Sequence, residues 1–319
     1  MSDGLVAAYA LSKPARALDW AEIERGPLDA PVWMHLDRSC EHARAWLRSG
    51  SGLDPLIVDA LLADETRPRV AAFGDGLMVI LRGVNLNPGA DPDDMIALRV
   101  WIDSRRLITM RTRKLLAAQD LRNEIEKGDS PNTVADALVR LVFALVARMA
   151  PTVDAIDQSL DALEERVVKA PVRQLRTELA SLRHTVIGLR RYLAPQREAL
   201  ARLFSEENSL FDDRARLRLR EATDAMVRYV EEMDTMRDRP ALLADELNSV
   251  VSERMDRTMY VLSLVGTVFL PLGFITGLLG VNVAGIPGSD WPLAFEALAA
   301  VLIGLAIVEV WMFRRLRLL

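Results

Sequence analysis

Three patterns of apolar and polar positions follow one another along this chain of 319 residues. From Leu5 to about Lys127, short apolar runs are broken every few residues by turn signals. Pro31–Asp37 predicts a strand. Glu41–Arg48 and Pro55–Ala63 predict short helices, the second with Asp54 as N-cap and Pro55 in the first helical position. Arg69–Phe73 and Gly76–Val84 flank Gly74-Asp75, and Ile96–Ile102 and Arg106–Arg111 flank Asp103-Ser104. Both are turn signals between apolar runs and predict antiparallel hairpins. Arg113–Glu126 then predicts a helix, so this region reads as an α+β domain in α/β/α layers.

After Asp129-Ser130-Pro131-Asn132 glycine becomes scarce, and charged residues interleave with Leu, Val and Met at helical spacing. One long helix is expected from Asn132 or Thr133 to Lys169, bent at Pro151. A second is expected from Pro171 to about Phe204, bent at Pro195. A third starts near Asp212, with Pro240 its main breaker, and continues into the next region. Soluble helices this long need partners along their length.

The third pattern is unbroken apolarity. Met259–Leu279 contains no charged residue, and at 1.5 Å per residue such a helix crosses the roughly 30 Å hydrocarbon core of a bilayer. Leu293–Phe313 is similar but carries Glu296 and Glu309. The loop between them is too short for a domain, so the two read as a membrane hairpin with both ends on one side. Arg254 and Arg257 precede the first span, and Arg314, Arg315 and Arg317 follow the second. Basic flanks stay in the cytoplasm, so both termini are expected there. The expected organisation is a cytoplasmic α/β domain (1–128), a helical bundle and stalk (129–258) and the hairpin (259–319), with spans at 259–279 and 293–313 and an outer loop at 280–292.

Composition narrows the class. Forty Lys and Arg against 45 Asp and Glu give a net charge of −5, which argues against nucleic acid as a partner. Met1–Trp20 lacks a charged segment followed by an apolar one and does not read as a signal peptide. Cys40 is the only cysteine, so no intrachain disulfide forms, as suits a reducing compartment. No Walker A loop, zinc-protease helix or dinucleotide fingerprint is present, so the reading is not that of an enzyme, and nothing points to hydrolysis-driven transport or to a resident cofactor.

With its cytoplasmic α/β domain, long helices, a stalk running into the first of two C-terminal spans, and Gly280-Val281-Asn282 after that span, the chain resembles the CorA family of divalent-cation transporters. Leu270-Pro271-Leu272 and Gly285-Ile286-Pro287-Gly288 add to the likeness, as does Glu65-Thr66-Arg67-Pro68-Arg69. The magnesium branch carries Gly-Met-Asn at the turn. Val281 and the Gly-Ile-Pro-Gly loop look like the zinc-transporting, ZntB-like branch. The resemblance implies a homopentamer in the inner membrane whose first spans line a central pore. It also implies that Asp245, Asp256, Met259, Leu262, Leu270, Gly273 and Asn282 face that pore.

In such a ring each pore-facing residue is repeated in every subunit. Asn282 would supply neutral amide oxygens at the mouth, beside Gly280 and Val281, to a cation that keeps its water. Asn282 is equally suited to cap a helix end. Met259 and Leu262 would be apolar constrictions, and Asp245 and Asp256 carboxylate rings. Lipid-facing, helix-packing or solvated surfaces are the plainer readings of these four. Gly273-x-x-x-Gly277 suits close helix packing, and Pro271 loosens the span. Glu296, Glu309 and Asp290 have polar surroundings within reach. Between Glu206 and Thr258 there are 14 acidic residues against 9 arginines, an excess that would concentrate cations in a vestibule or simply solvate and pair long helices.

Zinc favours Cys and His, and all three histidines lie outside the spans. His35, Cys40 and His42 are spaced to converge on one ion if a strand ends and a helix begins between them, but no fourth ligand is evident. The expected pore offers oxygen and thioether, which suits magnesium better than zinc. The ion expected from the resemblance is therefore Zn2+, with Mg2+, Co2+ or Ni2+ as the alternative. A membrane-anchored helical scaffold or sensor is the reading from another class.

Overall fold

The computed structural model describes residues 3–26, 28–167, 171–206, 210–281 and 291–315. The chain divides into two compact units, Met1–Asp245 and Glu246–Leu319.

In the first unit, seven strands form one sheet: β1 (Leu5–Ala10), β2 (Arg16–Ala17), β3 (Val32–Asp37), β4 (Arg69–Phe73), β5 (Gly76–Gly83), β6 (Ile96–Ile102) and β7 (Arg106–Arg111). Their order is β2-β1-β3-β7-β6-β5-β4. The hairpins predicted around Gly74-Asp75 and Asp103-Ser104 are present and antiparallel. Pairing is not antiparallel throughout, however, because β3 and β7 run parallel, with His35 opposite Thr109. The central strands β5 and β6 are buried on both faces, which is why they read as continuous apolar runs rather than alternating ones.

Side chains alternate across this sheet with the two-residue period of a strand. Met34 and Leu36 of β3 and Met78 and Ile80 of β5 join a core with α1 (Trp20–Glu24), α2 (Glu41–Ser49) and α3 (Pro55–Leu62). The opposite face carries α4 (Leu116–Glu126) and α5 (Val134–Ala147), so the unit has α/β/α layers. A Cβ on Gly83 would lie 2.9 Å from Leu115 and 3.5 Å from Leu145, which shows how closely that layer sits on β5. Caps hold the short helices. Asp19 accepts from the Glu22 amide while Glu22 reaches back to the Asp19 amide, a capping box for α1. Asp54 accepts from the Leu56 amide at 2.8 Å, with Pro55 in the first turn of α3 as predicted.

The long helix expected from residue 132 or 133 to 169 is two helices, α5 and α6 (Ala150–Arg166). The chain turns at Arg148-Met149 instead of bending at Pro151. Proline has no amide hydrogen, and its ring disfavours helical geometry in the residue before it, so it fits best in a first helical turn. Here Pro151 opens α6. By contrast α7 (Val172–Ser205) runs through Pro195. The next residue, the fully buried Gln196, accepts from the Arg82 amide at 2.6 Å and donates to the Arg82 carbonyl at 3.0 Å. Arg82 lies beyond the last residue of β5 that pairs with β4, so the Gln196 side chain fills the missing ladder position.

Helix α8 (Asp213–Leu279) starts in the first unit and ends in the second, where α9 (Ala294–Arg315) follows. Both are long and apolar enough to cross a membrane.

Candidate functional site

In the second unit, five of the residues expected to face an ion path, Asp256, Met259, Leu262, Leu270 and Gly273, lie on α8. At about 100° per residue, Asp256, Met259, Leu262, Leu270 and Gly273 fall within an arc of roughly 120° on the helix surface. Met259, Leu262 and Leu270 are 61%, 65% and 73% exposed, and Asp256 is exposed as well. A Cβ built on Gly273 or Gly277 meets nothing within 4 Å. The small-residue motif therefore leaves open space beside the helix instead of seating it on another described part of the chain. Apolar surface this extensive calls for lipid or other subunits to cover it. Pro271 lacks the amide that would bond to the Thr267 carbonyl, while the Thr276 hydroxyl bonds to the Leu272 carbonyl at 2.9 Å.

The helix closes with the Gly280 amide donating to the Thr276 carbonyl at 2.9 Å. Val281, half exposed, follows in a bend. Asn282, the Gly285–Gly288 loop, Asp290 and Arg317 lie outside the described residues. Asp245, the last residue of the first unit, is exposed.

Sequence reasoning placed Glu309 within reach of polar surroundings. The structure buries it, at 7% exposure, and its Oε2 has no hydrogen-bond partner among the described residues. A buried carboxylate in a membrane span is a functional candidate on physical grounds. Its only sequence signal was a charge inside an apolar run. Glu296, at the start of α9, is exposed.

His35, Cys40 and His42 do not form one site. His35 lies on the sheet face opposite Met34 and Leu36, and its Nδ1 sits 2.9 Å from the Thr109 hydroxyl. His42 is on α2, packed edge-on against Trp20 and 3.0 Å from Glu24. The alternation of β3 is what separates them, since α2 packs on the Met34–Leu36 face. Among the described residues no group of three or more His, Cys, Asp or Glu side chains is placed to hold a metal ion.

The charged helices of the first unit are cross-linked. Arg239 on α8 donates to Asp157 at 2.7 Å, Asp161 at 2.5 Å and Glu164 at 2.7 Å, all on α6. The hydrogen bond to Asp161 leads the effects that hold the guanidinium more firmly protonated than usual. Arg190 on α7 bonds to Asp234 on α8 and holds its carboxyl below the usual range. Arg218 pairs with Asp136 on α5 at 3.6 Å. Two of the nine arginines between Glu206 and Thr258 thus neutralise acids outside that segment, which leaves its acidic excess uncompensated by them.

Comparison with known proteins agrees with this architecture. Residues 29–315 match the family described as CorA-like Mg2+ transporter protein. The chain is 42% identical over 288 residues to the divalent cation transporter CmaX of Pseudomonas aeruginosa, covering 90% of this chain and 87% of that protein. It is 33% identical over 283 residues to the zinc transport protein ZntB of Yersinia enterocolitica, covering 89% and 86%. The full-length CmaX structure superposes with a TM-score of 0.85 at 38% identity over 99% of both chains. The α/β domain, the long helix and the two C-terminal candidate spans are those of a CorA-like fold, and the chain belongs to the CorA-like Mg2+ transporter family, whose members are divalent-cation transporters and not enzymes.

Proposed function

We propose that this chain carries Zn2+ across the inner membrane as a homopentamer, through a pore lined by the first span of each subunit, with both termini in the cytoplasm. The observation that carries the reading is the exposed arc of α8, where Asp256, Met259, Leu262, Leu270 and Gly273 share one face and the helix ends at Gly280-Val281. A single hairpin cannot enclose water, so this face needs copies of itself. In the ring, Met259 and Leu262 narrow the path, Asp245 and Asp256 attract cations from the cytoplasmic side, and Asn282 offers amide oxygens at the outer mouth. Residues 1–128 form the cytoplasmic α/β domain, 129–258 the bundle and stalk, and 259–319 the membrane hairpin. Zinc rests on the likeness to proteins named as zinc transporters and on Val281 in the turn. With no Cys or His in the spans, the ion passes hydrated or through weak oxygen sites. That same ligand chemistry supports a second reading, a Mg2+, Co2+ or Ni2+ channel.

The test is flux in proteoliposomes. Zinc uptake that outcompetes magnesium is the expected result, and a pH gradient shows whether protons are coupled. Asn282→Ala is expected to cut flux while leaving the assembly folded. Wild-type flux from that variant would reduce Asn282 to a cap, and a stable monomer by mass measurement in detergent would end the pore reading.

A further inference from the structure

On the α4 side of the sheet, a cleft of about 380 Å³ opens between β1, β3, β7 and α4. His35 lies at its base, and Arg111, Lys114, Arg122, Asn123 and Glu126 form its walls. Small side chains make the space. Ala7 stands opposite His35 on β1, and Ala118 faces in from α4. Glu126, the one acid among the described lining residues, is already engaged, since its Oε1 accepts from Tyr9 at 2.9 Å and from Arg122 at 2.8 Å. Arg111 stands opposite Asp37 in the β3–β7 ladder and feels its charge, while Lys114 is exposed. Since Arg122 already balances Glu126, the lining carries an excess of two positive charges, with Arg122 keeping further N–H groups beyond the one bonded to Glu126.

The protonation of His35 follows from its neighbours. The Thr109 hydroxyl donates its only hydrogen to the Met34 carbonyl at 3.0 Å and accepts from the Trp33 indole at 2.9 Å. It has no hydrogen left for His35, so Nδ1 of His35 must donate to it across 2.9 Å. Nε2 then carries a bare lone pair, and it has no partner although the ring is only 2% exposed. A buried acceptor without a donor is costly and calls for a partner.

We propose that this cleft binds inorganic phosphate as a protonated oxyanion, its P–OH donating to His35 Nε2 and its other oxygens accepting from Arg111, Lys114 and Arg122. The site is separate from the ion path and does not depend on the transport reading. A cation does not fit among three positive side chains. An oxyanion with no proton would set a lone pair against that of Nε2, and sites built to bond a hydroxyl strongly reject analogues that lack it.

The experiment uses the full-length chain in detergent, in metal-free buffer at pH 7.5 and constant ionic strength, with sodium phosphate, sodium sulfate and methyl phosphate titrated separately. At this pH hydrogen phosphate keeps a proton, whereas sulfate and the methyl phosphate dianion have none. Calorimetry and thermal melting are expected to show saturable binding of phosphate and binding at least about tenfold weaker for the other two. Lys114→Gln, a change at an exposed position, should weaken phosphate roughly severalfold, and Arg111→Gln should add to the loss. Equal effects of phosphate and sulfate would reduce the cleft to general ionic behaviour and overturn the proposal. So would phosphate affinity unchanged in the Lys114→Gln chain.

Discussion

The two units solve the problem of apolar surface in opposite ways. In the first, the chain covers itself: Leu36, Leu81, Leu98, Leu107 and Ile108 are all wholly buried. Even a missing ladder partner is supplied, by Gln196 at Arg82. In the second, Leu262, Phe269, Leu270 and Phe274 are all about two-thirds or more exposed. The same residue type therefore has two meanings. A leucine in the sheet stabilises this chain, whereas a leucine on the span stabilises its contact with something else. The two proposals follow the same division, because a fold held by internal contacts can offer an anion cleft by itself, while the proposed ion path needs copies.

The sharpest way to break this comparison is a pair of matched truncations. Leu107→Ala, at the second position of β7, removes a wholly buried side chain and is expected to cost the soluble unit about 2–5 kcal/mol. Leu270→Ala should leave that unit's unfolding midpoint unchanged. Urea denaturation in detergent, followed by tryptophan fluorescence, reads both. A large loss from Leu270→Ala would mean that the span is part of the soluble unit's stability.

The next effect belongs to pH. Burial, helped by the nearby Arg111 charge, pushes the pKa of His35 down to about 3. The unfolded chain, with a histidine near 6.5, binds a proton that the folded chain refuses. Stability is therefore full above pH 6.5 and falls as pH drops toward 3, by up to about 1.4 kcal/mol per unit. Between pH 6.5 and 5, before most carboxylates titrate, the loss should reach roughly 2 kcal/mol. His35→Gln should flatten that limb whatever it does to the baseline. An unchanged slope in the variant would place the acid sensitivity elsewhere.

The same division governs what the sequence discloses. The ends of β4, β6 and β7 were legible to the residue, because the Gly74-Asp75 and Asp103-Ser104 turns and the apolar runs are local signals. The parallel pairing of β3 with β7 was not, since it joins residues more than seventy positions apart. Pro151 was legible as a disturbance, but whether it bends a helix or opens a new one depends on where the flanking helices find their core. Alternation in β3 was available to show that His35 points away from α2, yet the short spacing to Cys40 and His42 suggested convergence. On the spans, the helices were readable from unbroken apolarity, whereas the set from Asp256 to Gly273 came from the family resemblance and its helical spacing is only consistent with one face. What that face meets was not readable, because the answer lies outside one chain, and Glu309 stood out only as a charge inside an apolar run, a signal that does not tell a buried carboxyl from one that reaches the surface.

A smaller effect is expected at the Arg239 clamp. Its three acids are 43–61% exposed, so solvent screens the attraction and Arg239→Ala should cost only about 1 kcal/mol. The signature is salt dependence, with wild type and variant converging as ionic strength rises. A loss of the same size at every salt concentration would mean that Arg239 acts by packing its aliphatic stem and not by its charge.

The smallest effect tests the turn itself. Val281 has a β-branched apolar side chain that cannot ligate a cation, and methionine would add only a weak thioether. Position 281 therefore acts through the packing of the turn after Gly280, whose amide closes α8 on the Thr276 carbonyl. Repacking of this size shifts local energies by about 1–3 kcal/mol. Spread over a ring of neutral groups around a hydrated ion, that is expected to change the zinc-to-magnesium ratio only severalfold in Val281→Met. The remaining preference stays with the carboxylates and the rest of the α8 face. Competitive uptake of the two ions by wild type and variant, in vesicles of one preparation, measures the ratio directly. A complete reversal in the single variant would make position 281 the selectivity determinant and would shift the weight of the site from the exposed arc of α8 to its last turn.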